Sequence, residues 1–263
     1  MHTQNTDQAI AQAFLAARRS GQGLATYPGP MPATLADAYR IQDTALSLDR
    51  RPVVGWKVGR INAPLDAELG ANRLAGPIFA DALAEDGAAM PVFADGFVAG
   101  EAEWLLHVAP GFTGPVPADD AATRAIIDEV RIGIEIASSP YPGINTDGPC
   151  VTVSDYGNNA GLVLGAPVAG WANLDLCAIS ITTRIDGAVV GEASAATMLD
   201  GPYGAVRFLL GNLMARGIDV SGGLWVSSGA VTGVHPARVG QSVTASFGDL
   251  GLVSCTLTKA MPR

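Results

Sequence analysis

The sequence predicts an α+β protein, and three observations lead to this prediction. Helical spacing of apolar residues dominates the first fifty residues. From Pro52 onward, short apolar runs are interrupted by glycine and proline, which is typical of strands. Only two more helical stretches follow, so helices and strands do not alternate as they do in βαβ proteins. We therefore expect an N-terminal helical segment, residues 1–50, packed on a β-rich body, residues 51–263, with one domain overall.

Two helices are expected in the N-terminal segment. Ile10 and Phe14 recur at helical spacing, and Gly21 ends this run. Thr34 lies at the start of the second run, and Asp37 follows three residues later as an approximate capping box. The first helix is therefore expected to end at Gly21 and the second to begin at Thr34.

Strands in the body are predicted from short apolar runs. Asp186-Gly187 lies between two alternating runs and is the strongest hairpin signal in the sequence. Residues 138–149 are expected to form a loop. Residues 161–183 carry a single charge, but Pro167 and several glycines divide them, so we expect a strand, a loop and a strand rather than a membrane span. The clearest strand runs are VVGWKVG, GPIFA, GFVAGEAEWLLHVA, IGIEIA, GLVLG, LWVSSGAVTG, QSVTASFG and LVSCTLTKA.

Two further helices are expected inside the body. Residues 119–130 begin with two aspartates, whose charge suits the N-terminal end of a helix dipole. Residues 202–216 begin with proline and are followed by Gly217, which is the usual order at the two ends of a helix.

Composition excludes several classes of protein. Hydrophobic residues make up 48% of the chain and charged residues 16%, which excludes a disordered chain and a coiled coil. The net charge of −9 argues against a nucleic-acid-binding surface, and the scarcity of charge suggests subunit contacts. Cys150, Cys177 and Cys255 form no paired motif and are expected to be buried free thiols. The N-terminus lacks the features of a signal peptide, so we expect a cytoplasmic protein without membrane contact.

Three glutamates interrupt otherwise apolar strands. Glu101 and Glu103 lie two residues apart in VAGEAEWLLHVA, so both carboxylates face one side of a strand, about 6–7 Å apart along the chain. Glu135 alternates with apolar neighbours in RIGIEIASS. Like charges on one face repel unless a cation lies between them. Three carboxylates without clustered histidine or cysteine suit Mg²⁺ or Mn²⁺, and the alternative is a set of polar strand faces exposed to water.

Lys57 is a second candidate functional residue, because it lies inside the strand run VVGWKVG. Buried beside anions it would stay charged and bind a carboxylate or an enolate, whereas without them it would lose its proton. The alternative is a lysine that reaches solvent from an edge strand. His107 lies about 13 Å along the strand from Glu103, too far to bind the same ion. No GxSxG or GxGxxG motif is present, so a serine triad and a nucleotide site are disfavoured.

Taken in order, these motifs resemble the fumarylacetoacetate hydrolase superfamily. The resemblance rests on Lys57 in VVGWKVG, the ExE of Glu101 and Glu103, Glu135 in IGIEIASS, and the segment DYGNNAGLVLG. The helix AVRFLLGNLMARG and the segment SSGAVTGVHPARVGQSVTASFGDLG extend it to the C-terminal part. The most similar branch comprises the 2-keto-4-pentenoate hydratases and the 4-oxalocrotonate decarboxylases.

This resemblance implies a fold and a set of site residues. The fold is α+β, with a mixed, strongly curved β-sheet body of the fumarylacetoacetate hydrolase C-terminal type that forms one catalytic domain. Lys57 would place positive charge beside the substrate, and Asp155 would orient Lys57 or relay a proton. A divalent metal, Mg²⁺ or Mn²⁺, would bind Glu101, Glu103 and Glu135, and the substrate would contact Asn158, Asn159, Ser228 and Thr232. Homo-oligomers are implied, and an association with a partner enzyme of the same pathway is left open.

The implied activity is that of a lyase in aromatic-compound degradation. The first expectation is a hydratase that converts a 2-hydroxy-2,4-dienoate into a 4-hydroxy-2-oxo acid. The alternatives are a 4-oxalocrotonate decarboxylase, an acylpyruvate hydrolase and a binding protein without turnover. Two positions depart from the family pattern: Leu74 and Ala75 replace an acid before Gly76, and Ala230 replaces a serine in the segment that ends with Thr232.

Overall fold

The computed structural model describes residues 2–263, with side chains from residue 5 onward. Within this range the helices are α1 (His2–Ser20), α2 (Leu35–Leu48), α3 (Leu65–Leu69), α4 (Asp120–Arg124), α5 (Pro149–Ser154) and α6 (Gly201–Ala215). The strands are β1 (Val53–Arg60), β2 (Arg73–Phe79), β3 (Leu83–Glu85), β4 (Ala89–Val92), β5 (Phe97–Val108), β6 (Ile127–Ser139), β7 (Asn159–Pro167), β8 (Ile181–Ile185), β9 (Ala188–Ala193), β10 (Leu224–Ser227), β11 (His235–Pro236), β12 (Ser242–Phe247) and β13 (Leu252–Lys259).

The strands form two mixed sheets. One has the order β2-β1-β10-β5-β6-β7-β3, with β11 paired to β5, and the other has the order β4-β13-β12-β8-β9. Most pairs are antiparallel, but β1 with β10, β3 with β7 and β4 with β13 are parallel. Together with the helices, these sheets confirm the α+β fold class.

Strand β5 separates the core from the site by simple alternation. Gly100, Ala102 and Trp104 face the second sheet, where the Trp104 ring lies 5.0 Å from the ring of Phe247. A Cβ at Gly100 would lie 2.7 Å from a methyl carbon of Val243, so the sheets approach closely only because this residue is glycine. The intervening residues of β5 point to the opposite face, where the candidate site lies.

The N-terminal helices pack on each other and on α5. Ile10 and Phe14 of α1 are buried in the same apolar cluster as Ile41 of α2. The Thr34 hydroxyl caps α2 by accepting a hydrogen bond from the Asp37 N–H at 3.1 Å. The first helix therefore ends, and the second begins, where the sequence predicts.

The predicted helix over residues 119–130 is wrong beyond its first turn. Asp119 caps the short helix α4, but β6 already begins at Ile127. Ile127 and Val130 are buried, and they pair with Val108 and Leu106 of β5. Burial in the sheet therefore outweighs the local helical signal.

Two other boundaries differ from the predictions. The expected loop over residues 138–149 is shorter, because β6 continues to Ser139 and α5 begins at Pro149, a residue that favours the first turn of a helix. The strand predicted for LWVSSGAVTG ends at Ser227. Gly229 follows with φ +110°, a conformation that only glycine adopts readily.

Other predictions are confirmed. Asp186 and Gly187 form the turn between β8 and β9, with φ of 50° and 80°. Residues 161–183 contain the end of β7, a loop and the start of β8, and none of the described helices is long and apolar enough to cross a bilayer. All three cysteines are free, but Cys177 is only half-buried.

Candidate metal centre

Three buried carboxylates meet where β5 and β6 pair. Glu101 lies directly opposite Glu135, and Glu103 lies opposite Gly133. One oxygen from each glutamate lies within 4.8 Å of the others. Their exposed fractions are 4%, 0% and 0%, in chain order. Within the described part of the chain, this is the one group of three acidic, histidine or cysteine side chains that could hold a metal ion.

In Glu103 and in Glu135, hydrogen bonds hold one of the two carboxylate oxygens in place. Glu103 Oε2 accepts from the Ser227 hydroxyl at 2.5 Å and from the Gly229 N–H at 2.8 Å. Glu135 Oε1 accepts from the Asn159 amide at 2.9 Å. Of the other two oxygens, Glu103 Oε1 is buried and accepts no hydrogen bond, whereas Glu135 Oε2 is buried with the Lys57 ammonium 3.2 Å away. These two oxygens are the atoms that a cation would need.

The local electrostatics are unfavourable for three ionised glutamates. The pKa of Glu103 is raised to about 8, first by burial and then by the charge of the neighbouring Glu135, although Lys57, Ser227 and Gly229 each lower it. Burial also raises the pKa of Glu101 well above its usual value, with Glu135 as the next cause. A divalent cation would offset this repulsion. The all-oxygen donor set therefore fits a hard ion such as Mg²⁺ or Mn²⁺.

Lys57 is buried beside this cluster. Its Nζ lies 3.2 Å from Glu135 Oε2. Burial lowers the pKa of Lys57, but the nearby glutamates, Glu135 first, raise it above its usual value by a larger amount. Lys57 therefore stays protonated, as expected for a lysine among anions, and the alternative of a lysine that reaches solvent is wrong.

A strained turn presents two asparagines to the site. Tyr156, Gly157 and Asn158 are consecutive residues with φ near +60°, which glycine and asparagine tolerate but which is unfavourable for Tyr156. Asn158 Oδ1 accepts a hydrogen bond from Lys57 Nζ at 3.2 Å, and its amide donates to Asn145 Oδ1 at 2.9 Å. Directly after the turn, Asn159 donates to Glu135.

Asp155 does not contact Lys57, contrary to the expected role of orienting it. Its carboxylate instead accepts two hydrogen bonds from Arg18, at 2.6 and 2.9 Å, and one from the Ser139 hydroxyl at 2.6 Å. Asn158 takes the expected place of Asp155 beside the lysine. A direct part for Asp155 in proton transfer has no contact to support it.

A cavity of about 900 Å³ opens onto the cluster. Lys57, Glu101 and Asn158 line it, together with Ser228 and Thr232. Ser228 is 1% exposed and its hydroxyl has no hydrogen-bond partner, so it is free to bind a ligand. Asn159 does not line this cavity, which is a correction to its expected contact with substrate.

The cavity is lined by the basic residues Lys57, Arg60 and Arg73 but by few groups that could accept a proton. Glu101 is its single acidic lining residue, and no histidine, cysteine or tyrosine lines it among the described residues. Leu74 occupies the wall, so the departure from the family pattern leaves an apolar surface there. Thr232 contacts Thr183 at 2.7 Å and His235 at 3.0 Å.

Several site residues were missed by the sequence reasoning. Ser227 and Gly229 contact Glu103 from more than 120 positions away, and no local pattern marks them. Arg18 had a recognisable signal, because it continues the i, i+4 spacing of Ile10 and Phe14 and so places a charge on the buried face of α1.

Comparison with known proteins finds relatives that are named as a decarboxylase and as a hydratase. It is 28% identical over 130 residues to 4-oxalocrotonate decarboxylase from Pseudomonas sp. (strain CF600), covering 49% of each chain. It is 26% identical to 2-keto-4-pentenoate hydratase from Burkholderia vietnamiensis (strain G4 / LMG 22486), over 98% of this chain and 100% of that protein. The chain thus spans about half the length of the decarboxylase that it matches, but the whole length of the hydratase. No protein-family model matches the chain.

The fold has a solved counterpart. The 4-oxalocrotonate decarboxylase from Pseudomonas putida G7, complexed with magnesium and adipate, superposes with a TM-score of 0.81 and 23% identity, covering 96% of this chain and 97% of that one. This likeness concerns the fold. Together with the two sequence relatives, it confirms the resemblance that the motifs indicated.

Proposed function

Since this chain is a relative of the 4-oxalocrotonate decarboxylases and the 2-keto-4-pentenoate hydratases, we propose that it is a divalent-metal-dependent lyase that acts on a 2-oxo acid or its dienol. One observation carries the proposal: three buried glutamates lie together beside a protonated lysine, and Glu101 and Lys57 of this group line a cavity. Such a cluster is costly to build and is typical of a functional site.

In this proposal, some side chains of the site bind the cation and others act on the substrate. Glu101, Glu103 and Glu135 would hold Mg²⁺ or Mn²⁺, which when bound supplies Lewis acidity to the carboxylate and 2-oxo oxygens of the substrate. Lys57 holds a positive charge beside the same oxygens and stabilises negative charge that develops there. Asn158 keeps the Lys57 ammonium in place through its 3.2 Å contact. Ser228 offers its free hydroxyl to the substrate.

The first candidate reaction is hydration of a 2-hydroxy-2,4-dienoate to a 4-hydroxy-2-oxo acid. A proton would move to the terminal carbon of the dienol, and water would add to the resulting double bond. The relative that supports this candidate is the hydratase that aligns over 98% of this chain.

A decarboxylase is the second candidate, and the composition of the cavity favours it. Hydration needs a base that activates water, but the lining offers no acidic residue besides Glu101. Loss of CO₂ from a 2-oxo-3-enedioate needs a 2-oxo group that accepts the electron pair, and the resulting dienolate then takes up one proton. An acylpyruvate hydrolase is less well supported, because no described histidine contacts a glutamate: His107 pairs with Asp128, and His235 contacts Thr232.

Product analysis tests the proposal. The purified protein would be mixed with 2-hydroxypenta-2,4-dienoate or with 2-oxohex-3-enedioate, with and without Mg²⁺, while ultraviolet absorbance is followed. The product mass then reports addition of water or loss of CO₂. If neither substrate changes, and if Mg²⁺ and Mn²⁺ do not raise the melting temperature, the proposed lyase is wrong and a binding protein without turnover remains.

A further inference from the structure

Arg18 is a buried cation that the proposed chemistry does not use. It lies in the last turn of α1 and is 8% exposed. Its guanidinium carbon lies 5.6 Å from the ring centre of Phe93 and 5.3 Å from that of Tyr156. Burying a charged side chain removes its hydration and is unfavourable unless hydrogen bonds replace the lost water. The contacts of Arg18 therefore indicate what it does.

Those contacts lie on both sides of the strained turn formed by residues 156–158. Arg18 Nε and Nη2 donate to the two carboxylate oxygens of Asp155, the residue before the turn, at 2.6 and 2.9 Å. Arg18 Nη1 donates to the backbone oxygen of Asn159, the residue after the turn, at 3.0 Å. One planar guanidinium thus joins the two ends of an unfavourable backbone conformation.

The turn leads directly to the metal centre. The Asn159 amide donates to Glu135 Oε1, which leaves Glu135 Oε2 as the oxygen that faces Lys57. Ser139, on the same strand as Glu135, donates to the Asp155 carboxylate at 2.6 Å. Displacing Asn159 would therefore release Glu135 to rotate.

We propose that Arg18 is a positioning residue for the metal centre, because it clamps the strained turn and thereby holds the Asn159 amide against Glu135. The inference rests on the proposed function, since it assumes that Glu135 binds a metal. It also gives the N-terminal helix a part in the site, although none of the described side chains of α1 lines the cavity.

Lysine cannot replace Arg18 in this arrangement. One ammonium can pair with Asp155. It lacks the planar guanidinium group, in which two nitrogens bind the carboxylate of Asp155 while the third binds the backbone oxygen of Asn159. Arg18→Lys keeps the charge of the buried ion pair and removes the clamp, whereas Arg18→Gln removes both. The two variants therefore separate the charge of Arg18 from its geometry.

The dissociation constant for Mn²⁺, measured by titration calorimetry on the folded protein, is the readout that a merely structural role would leave unchanged. Asn159→Ala and Arg18→Gln are each expected to weaken Mn²⁺ binding about 10–100-fold, the usual effect of losing a group that orients a metal ligand. Arg18→Lys is expected to lie between Arg18→Gln and the unchanged protein.

Arg216→Gln is the matched control. Arg216 also pairs with an aspartate, Asp43, and lies over two aromatic rings, but its side-chain hydrogen bonds go to Gln42, Asp43 and Asn212 rather than to the turn or the glutamates. It should lower stability while leaving the Mn²⁺ dissociation constant unchanged.

The double variant Arg18→Gln/Asn159→Ala tests the route. If Arg18 acts through Asn159, the double variant binds Mn²⁺ no more weakly than Asn159→Ala alone, whereas independent effects would multiply. Multiplied effects, or unchanged Mn²⁺ binding in Arg18→Gln, would overturn the inference. If Arg18→Gln does not fold, unchanged binding in Arg18→Lys overturns it instead. Absence of Mn²⁺ binding in the unchanged protein would refute the proposed function itself.

Discussion

Lys57 Nζ lies 3.2 Å from Glu135 Oε2, an oxygen that is also a candidate metal ligand. The two side chains are 4% and 0% exposed, so water screens their interaction weakly. The lysine and a bound cation would therefore act on the same carboxylate. The lysine would weaken binding of the cation, because two positive charges beside one carboxylate repel each other. In catalysis the two charges would act in the same direction, because each attracts negative charge on the substrate.

Replacing Lys57 should separate these two effects. Lys57→Met is expected to lower kcat by about 10²–10³-fold, because one preorganised positive charge is lost beside the developing oxyanion. Mn²⁺ should bind the variant at least as tightly as it binds the unchanged protein, because a competing positive charge is removed. Steady-state kinetics and titration calorimetry measure the two quantities. The exposed residue Lys259, changed to methionine, is the control, and weaker Mn²⁺ binding in Lys57→Met would contradict the argument.

Glu103→Gln should abolish metal binding and keep the fold. The glutamine oxygen can still accept from Ser227 and Gly229, whereas the negative charge that attracts a cation is gone. We expect the rise in melting temperature on adding Mn²⁺ to disappear. The control is Glu129→Gln, which removes a partly exposed carboxylate paired with Arg131. If Glu103→Gln retains Mn²⁺ binding, the three-glutamate centre is wrong.

The raised pKa of Glu103 predicts that the metal-free protein loses stability as pH rises. Its pKa is about 8 in the folded protein and 4.5 in an unfolded chain, so the folded state holds a proton that the unfolded state releases between these values. The free energy of unfolding should fall from about pH 5 to about pH 8, by at most about 1.4 kcal/mol per pH unit for one such group.

Urea titrations across this range, with and without Mg²⁺, measure the effect. Mg²⁺ should flatten the decline, because a bound cation stabilises the ionised carboxylates, and Glu103→Gln should flatten it without metal. If the free energy of unfolding of the metal-free protein rises with pH instead, ionisation of the glutamates does not destabilise the folded state, and the argument is wrong.

Strand periodicity was sufficient to place Glu101 and Glu103 on one face, because alternation along a strand is a local property. It could not place Glu135 opposite Glu101, since that register depends on pairing two strands more than thirty residues apart. The same limit explains the error at Ile127, whose local context is helical but whose side chain is buried between strands. Arg18 and Asp155 are 137 positions apart, and only the packing of α1 on the body brings them together.

The outcome for Asp155 shows how a motif can be recognised while the function of a residue in it is misassigned. The segment that contains Asp155 does enter the site, but the strained turn carries Asn158 to Lys57 and leaves Asp155 on the side of α1. Gly157 and Asn158 are residue types that tolerate left-handed φ, but no local signal predicts this conformation for Tyr156. The direction in which each polar side chain of this segment points was therefore not predictable from the spacing of residues.

Gly76 should be essential for this turn. A Cβ at Gly76 would lie 2.0 Å from the backbone oxygen of Tyr156 and 2.8 Å from Gly157 Cα, and backbone atoms cannot move aside as a flexible side chain can. Gly76 also pairs with Lys57 across β1 and β2. Gly76→Ala would therefore push the turn away from the strand that carries the lysine.

We expect Gly76→Ala to destabilise the protein by about 3 kcal/mol or more, the upper range for added volume in a packed interior. Where the variant folds, it should also lose turnover, because Asn158 no longer reaches Lys57. Gly114→Ala is the control, since a Cβ there meets only a ring carbon of Phe112 at 3.6 Å, an ordinary contact. Urea unfolding measures the stability, and steady-state kinetics measure kcat. If Gly76→Ala leaves the stability unchanged, the turn does not approach β2 as closely as described. The position of Asn158 would then need another cause.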